Sequence, residues 1–331
     1  MKDLVTEQSG DVQMRALIDG LWRSANFGAV FEKAVHRDVV LHGGEAEYKG
    51  RLAVATSALG PMVACPDRHV ICEDMVSHKM ADARDIGAAR LRVSGRHAGG
   101  GVWGAPTGRD ISYSVMVETT VSDDRVTDIW RVRDTGAVLS ALDIAPEKWA
   151  DDMLGATLPD DVVFTDAAVT DHGAEAGNDS DWAHVWSDLL ERAMEGGFQL
   201  FDQQYDPGAA LHYAGGVTAH GPKSAQAFWL NLRSCFPSAE FRILRKLGGD
   251  APLAAPRAAL RWEIRGRHDG WGSFGAPTGK EVVILGLSQA EFGPDGVRRE
   301  WSIFDVGSVW MQIRKGGFSS RLAGTAGARK T

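Results

Sequence analysis

The feature that most constrains this chain is an internal repeat. Gly95-Arg96-His97-Ala98-Gly99-Gly100-Gly101-Val102-Trp103-Gly104-Ala105-Pro106-Thr107-Gly108 returns as Gly266-Arg267-His268-Asp269-Gly270-Trp271-Gly272-Ser273-Phe274-Gly275-Ala276-Pro277-Thr278-Gly279, identical at 10 of 14 positions and offset by 171 residues. The same offset, carried both ways without a gap, lays Phe27 on Phe198, Gly50 on Gly221, Pro66 on Pro237, Trp130 on Trp301, Asp134 on Asp305 and Gly136 on Gly307. Solenoid units repeat every 20–50 residues or so, so a period this long implies duplication of a whole domain. Half of 331 residues is enough to close a hydrophobic core.

Residues 1–144 are therefore expected to be the first copy and 181–314 the second, joined by a linker at 145–180 rich in turn formers and acidic residues, with room for a short helix. The tail 315–331 has small and basic residues with little to bury and is expected to be disordered. Each copy opens on helical spacing: Met14, Leu17, Ile18, Leu21, Trp22 and Ala25 in the first, Trp182, Val185, Trp186, Leu189, Leu190 and Ala193 in the second. Short strands at Val39–His42 and Ala209–Tyr213 precede glycine turns and a second helix, 52–64 or 222–235, ended by Pro66 or Pro237. Alternating strands follow, around Leu91 and Val93 or Leu260, Trp262 and Ile264. Helices followed by a meander make an α+β domain.

Composition removes several functions. The net charge is −8 with no long basic run, which argues against nucleic acid. No apolar stretch is long enough to span a membrane, and the first residues lack the pattern of a signal peptide, so a cytoplasmic location is expected. Cys65, Cys72 and Cys235 have neither metal-ligand spacing nor the density of a disulfide framework and are read as free thiols. No nucleotide loop, dinucleotide fingerprint or paired-histidine zinc motif occurs, so no cofactor and no metal are expected.

Strand parity singles out candidate residues. Counting by twos puts His268 on one face with Gly266, Ile264, Trp262 and Leu260, and His97 with Gly95, Val93 and Leu91; arginines hold the opposite face. Trp130, Val132 and Asp134 share a face, as do Trp301, Ile303 and Asp305. Both histidines and both aspartates are thus expected to point inward, where a carboxyl has a raised pKa and an imidazole is a natural partner. His97, Asp134, His268 and Asp305 are the candidate acid/base groups. The sequence leaves three roles open for each pair: proton transfer, lining a ligand cavity, or bonding that holds the sheet in register. His42, His212 and Tyr213 at the end of the first strand, with His42 and Tyr213 equivalent, are candidate cavity-mouth residues. Trp130, Trp229, Trp262 and Trp301 are candidate walls for a flat or apolar molecule, though tryptophans fill a core equally well. Gly-Ala-Pro-Thr-Gly reads as a turn. Arg96 and Arg267 fall on the outer face, at an inter-domain or inter-chain contact.

The order helix, strand, His/Tyr near a glycine turn, helix ending at proline, Gly-Arg-His-x-Gly…Gly-Ala-Pro-Thr-Gly, Trp-x-x-x-Asp and a closing apolar strand (Val306 to Ile313, with Gln312) resembles the SnoaL-like polyketide cyclase family over nearly all of both copies. The resemblance implies the cystatin-like cone of the nuclear-transport-factor-two superfamily: a curved antiparallel sheet around helices with a pocket at its open end. It also implies an internal pseudo-dimer, with homo-oligomerisation left open. It points to a cofactor-independent, cyclase-like acid/base enzyme acting on a small hydrophobic carbonyl or ester compound. The family's catalytic aspartate aligns with Arg131 and Ser302, so its aldol mechanism does not transfer intact. The rivals are a small-molecule binding protein and an assembly module with filled cones.

Overall fold

The computed structural model describes residues 14, 18, 22–23, 27–80, 82–155, 177–250 and 254–315. The first copy runs α1 (Ala29–Ala34), β1 (Val35–Gly43), β2 (Glu47–Lys49), α2 (Gly50–Ala64), β3 (His69–Lys79), β4 (Asp85–Arg96), β5 (Asp110–Ser122), β6 (Arg125–Arg133) and α3 (Thr135–Ala141). Helix α4 (Pro146–Gly155) follows. The second copy repeats the order: α5 (Asp181–Met194), α6 (Leu200–Gln204), β7 (Tyr205–Tyr213), β8 (Val217–His220), α7 (Gly221–Cys235), β9 (Glu240–Gly249), β10 (Arg257–Arg267), β11 (Glu281–Gly293), β12 (Gly296–Phe304) and α8 (Val306–Lys315).

Local chemistry explains these boundaries. Gly50 and Gly221 stand at φ +84° and +76°, where a Cβ is strained, so the chain turns sharply from the short strand into α2 or α7. Asp123 and Asp124 both take positive φ between β5 and β6, as the tightest hairpins require. Each sheet has six strands, ordered β2-β1-β6-β5-β4-β3 and β8-β7-β12-β11-β10-β9. The four long strands form the expected antiparallel meander. The sheets are nevertheless mixed: β1 lies parallel to β6 and β7 to β12, because the opening strand fills the free edge of the last one running the same way. Each sheet curls around its own helices, with Val54, Leu91 and Ile129 in the first core and Trp229, Trp262 and Phe304 in the second. This is the α+β cone architecture, present twice.

Two expectations change. The segment after Asp305 is the helix α8 and not a strand: Val306, Val309, Trp310 and Ile313 recur at helical spacing, and the Asp305 carboxylate caps the helix by accepting from Ser308 N at 3.0 Å. The offset between copies is also not constant. His42 pairs with Trp130 and His212 with Trp301, an offset of 170, so His42 matches His212, and Gly43, not His42, matches Tyr213. One extra residue between β7 and α7 restores 171, since α2 begins at Gly50 and α7 at Gly221. In the opening segment, Met14 and Ile18 are helical and buried, while Leu17, Leu21 and Ala25 lie outside the described residues. In the linker α4 is a helix; 156–176 lie outside the described residues, as do 316–331 of the tail. No helix among the described residues is long and apolar enough to cross a membrane.

The two sheets pack back to back. Met116, Val132, Leu287, Trp301 and Ile303 form one apolar patch between them, and Val76, Ile86, Ala88, Leu247 and Ala259 another. Charged residues bridge the rest. The Arg90 guanidinium lies 3.5 Å from the centre of the Trp301 ring, and its counterpart Arg261 lies 3.8 Å from that of Trp130. Glu118 is held between Arg245 at 3.0 Å and Arg261 at 3.4 Å, whereas its counterpart Gln289 accepts from Arg90 at 2.9 Å. Arg96 and Arg267 lie outside this contact, exposed, beside Asp110 and Glu281.

Removing one partner of such a buried charge leaves the other stranded. Arg261→Ala is expected to lower the free energy of unfolding by about 3 kcal/mol or more in urea titrations, and exposed Arg267→Ala to leave it essentially unchanged. Equal effects of the two substitutions would show that the inter-sheet contact does not carry stability.

Candidate functional site

At the open end of the second cone the end of β7, the inner face of α7, the end of β12, the Gly272–Gly275 turn and α8 enclose a cavity of about 800 Å³. That lies within the range of about 300–1000 Å³ usual for small-molecule sites. Its wall is mainly apolar, with Leu232, Phe228, Phe274, Phe304 and Trp310, interrupted by Tyr213, Ser224, Asn231 and Ser273. Pro146 and Glu147 of α4, which follows the first copy, complete the rim. Trp149 anchors α4, donating from its indole N–H to Val102 O at 2.9 Å, and Arg314 of α8 grips Asp151 through two contacts of 2.6 Å.

Behind the cavity wall lies a fully buried carboxylate, Glu300 of β12. Its Oε2 accepts from the hydroxyls of Tyr213 at 2.7 Å and Tyr205 at 2.8 Å. Its Oε1 accepts from Ser302 Oγ at 2.6 Å and from the Trp229 indole at 3.1 Å. Trp262 Nε1 donates to Ser288 Oγ at 2.8 Å, and Ser288 to Ser302 Oγ at 2.7 Å, which fixes the direction of this chain toward Glu300. Burial pushes the Glu300 carboxyl above the usual range, opposed by these hydrogen bonds. Burial and the neighbouring carboxylate hold both tyrosines well above the usual phenol range. Tyr213 stacks on Phe228 with ring centres 3.8 Å apart, and both rings line the cavity.

The interior of the first cone is built differently. Among the described residues, Ala58, Met62, Val93 and Tyr113 line a void of only about 20 Å³ there. Arg131, at the position of Ser302, is buried and crosses the interior to Glu45 at 2.6 Å and Ser57 at 3.0 Å. Ile129 stands where the second copy has Glu300, Ala58 where it has Trp229, and Val117 where it has Ser288.

The residues picked out by parity occupy other places. His97 and His268 do lie on the inner face, fully buried, but no hydrogen bond links them to Asp134 or Asp305. Nδ1 of each meets the threonine hydroxyl of its own Gly-Ala-Pro-Thr-Gly turn, Thr107 at 3.2 Å and Thr278 at 3.1 Å. The backbone N–H groups of Thr107 and Gly108, and of Thr278 and Gly279, bond back to the same histidine's carbonyl. The motif is therefore a latch that closes a turn, and burial pushes both imidazoles to lower pKa.

Asp134 and Asp305 are helix caps at the junction of the copies. Asp134 accepts from Ala137 N at 3.1 Å in α3 and also from Gly215 N at 2.7 Å and Gly216 N at 2.9 Å of the other copy. Asp305 caps α8 and accepts from Thr135 Oγ1 at 2.9 Å. Neither lines the cavity. Trp130 and Trp301 face the opposite sheet beneath arginines, with His42 stacked on Trp130 at 4.1 Å and His212 on Trp301 at 5.3 Å. His42 further pairs with Glu47 at 3.1 Å and Asp128 at 3.3 Å, so neither histidine is at the cavity mouth. Trp229 and Trp262 are core, one layer behind the wall, and Tyr213 alone of the expected residues lines the cavity. Parity grouped these residues correctly, but the apolar face of β6 and β12 is the one buried against the other sheet. Glu300 was missed for the same reason. A glutamate opposite Ile129 of the other copy was the signal available. Among the described residues, no group of three or more His, Cys, Asp or Glu side chains is placed to hold a metal ion, and the three cysteines are free.

Residues 12–142 match the profile of the SnoaL-like polyketide cyclase family. Among solved structures, AclR, a proposed hydroxylase from Streptomyces galilaeus, is 19% identical with a TM-score of 0.36 over 41% of this chain and 96% of its own. IdmH, a proposed polyketide cyclase from Streptomyces antibioticus, is 20% identical with a TM-score of 0.34 over 40% of this chain and 99% of its own. TsrD from Streptomyces laurentii is 16% identical with a TM-score of 0.35 over 41% of this chain and 95% of its own. No curated protein matches the chain.

Two outcomes follow from the aspartates. Asp134→Ala removes a cap and the clamp on Gly215 and Gly216, and is expected to cost about 1–2 kcal/mol in urea titrations and to loosen amide exchange at 214–217. Unchanged exchange there would contradict the clamp. Burial, followed by the negative charge of Glu45, pushes Asp305 up to about 7. With its folded pKa above the unfolded value of about 4, its contribution is full below about pH 4 and is lost as pH rises toward 7. Asp305→Asn should therefore raise the melting temperature, relative to the parent, more at pH 8 than at pH 5. The opposite order would refute this assignment.

Proposed function

Because residues 12–142 carry a SnoaL-like polyketide cyclase domain and the second copy repeats its fold, we propose that the chain is a cofactor-independent, cyclase-like acid/base enzyme whose working site is the second cone. Its substrate is a small, largely apolar carbonyl compound. The observation that carries this reading is the cavity of about 800 Å³ with a hydroxyl-bearing side chain, Tyr213, in an otherwise mostly apolar wall. An apolar molecule gains from leaving water for such a site, by about 25 cal/mol per Å² of buried apolar surface. Tyr213, Asn231, Ser224 and Ser273 supply the few polar groups that orient it.

The first cone is the supporting half. Arg131 and Glu45 pair inside it, and the segment after it contributes Glu147 to the rim of its neighbour. An interior crossed by that ion pair fits an assembly role for the first copy, which does not account for the open second cone.

Binding of β-tetralone, a compact aromatic ketone, followed by quenching of tryptophan fluorescence tests the location. Ala227 lies exposed on α7 in the cavity wall, and Ala227→Trp is expected to weaken binding by about tenfold or more, equivalent to about 1.4 kcal/mol. Thr56→Trp, the same position on α2 of the first copy, should leave it unchanged. Similar effects from both, or from neither, would remove the second cone as the site.

A further inference from the structure

We infer that Glu300 is the proton acceptor of the second cone and works through Tyr213, whose hydroxyl is the group that meets the substrate. This rests on the reading of that cone as a site for a carbonyl compound and adds the residue that drives its chemistry.

The fold does not need Glu300. The first copy builds the same strand with Ile129 at that position, fully buried. Burying an ionisable carboxyl costs several kcal/mol unless it is well bonded, so a carboxyl present in one copy alone is a specialised feature. Its partners are specialised with it. Tyr205, Tyr213, Trp229 and Ser302 replace Val35, Gly43, Ala58 and Arg131 of the first copy. The copy with this cluster lines the cavity of about 800 Å³, and in the copy without it Arg131 reaches inward to Glu45 and Ser57.

The geometry also gives a direction. Ser302, fixed by Ser288 and Trp262, and the Trp229 indole occupy Oε1. Oε2 takes the two phenols. Of the four groups bonded to Glu300, Tyr213 is the one that lines the cavity. A proton leaving the cavity for Glu300 therefore passes through Tyr213, which has an oxygen lone pair to accept it while its own hydrogen moves to Oε2. In the step, the substrate C–H bond next to the carbonyl breaks and its electron pair becomes the enolate. That proton bonds to Tyr213 Oη, and the Tyr213 proton bonds to Glu300 Oε2. One negative charge passes from Glu300 to the enolate, and the reverse transfer protonates the product and restores both residues. No oxidant, reductant or second reactant enters.

The test uses the full chain and β-tetralone in heavy water. Exchange of the protons next to the ketone is followed by proton NMR, and binding by fluorescence. Wild type should accelerate exchange over buffer. Glu300→Gln and Tyr213→Phe should each reduce that acceleration by about a hundredfold, the lower end of general-base contributions, a far larger loss than any change in Kd. A purely structural role would move binding and stability together with exchange. Tyr213→Phe keeps the stack on Phe228 and decides the matter if Glu300→Gln does not fold. Exchange at the wild-type rate in either folded variant overturns the proposal. So does a wild type that binds the ketone without accelerating exchange, which leaves the cavity reading intact. Failure of the wild type to bind overturns the cavity reading and this proposal with it.

Discussion

Everything in this molecule depends on the burial of the back faces of two sheets against one another. A sheet with helices in its concave side ordinarily leaves its other face to water. Here that face carries Trp130, Val132, Trp301 and Ile303, and the arginines that would suit a solvated face, Arg90 and Arg261, lie flat over the tryptophans of the other copy. An arginine can be placed there because its guanidinium is weakly hydrated and planar, so ring faces and a carboxylate or amide replace its water. Neither copy can present this surface alone without exposing a broad apolar patch. Fusion in one chain keeps the partner permanently at hand.

The same constraint lets the copies diverge. In the first interior Arg131 reaches Glu45 and Ser57. The second has an opening and, behind its wall, Glu300 with its donors. Dependence runs across the junction. Asp134 of the first copy holds Gly215 and Gly216, the loop directly after Tyr213, and Glu147 stands at the rim.

How much of this the sequence made legible follows from which forces act locally. The duplication, the order of elements and the α+β class rest on periodicity and turn chemistry, which are local, and they were readable from Gly50, Pro66, Thr107 and their repeats. Strand parity grouped His268 with Trp262 and Asp305 with Trp301 correctly. It failed at the next step, because in a strand buried on both sides apolarity no longer distinguishes the inside of the cone from the back of the sheet. The side chain that enters the second cone from β12 is the charged Glu300, and the aromatic one faces away. A shared inner face suggests that the His and Asp of the repeated motifs meet, yet each is consumed by its own turn or helix end, Thr278 and Ser308 respectively. The one-residue slip that separates Tyr213 from His42 could be seen only in strand register.

Comparison of the two copies is the better guide to the site, because it cancels what the fold requires. What the copies share, the histidine–threonine latch, the aspartate caps and the arginine over tryptophan, closes each cone and joins the two within this chain. What only the second copy has cannot be explained that way. Glu300 against Ile129, Tyr213 against Gly43 and Trp229 against Ala58 are changes from small or apolar groups to ones that bond a single carboxylate. Substituting any one of them alone would strand a buried polar group, so the cluster is a unit whose members are kept together by desolvation. A unit of that kind directly behind the wall of the second cone's cavity, reaching it through Tyr213 and without a counterpart in the first copy, marks that cavity more clearly than the repeated motif does.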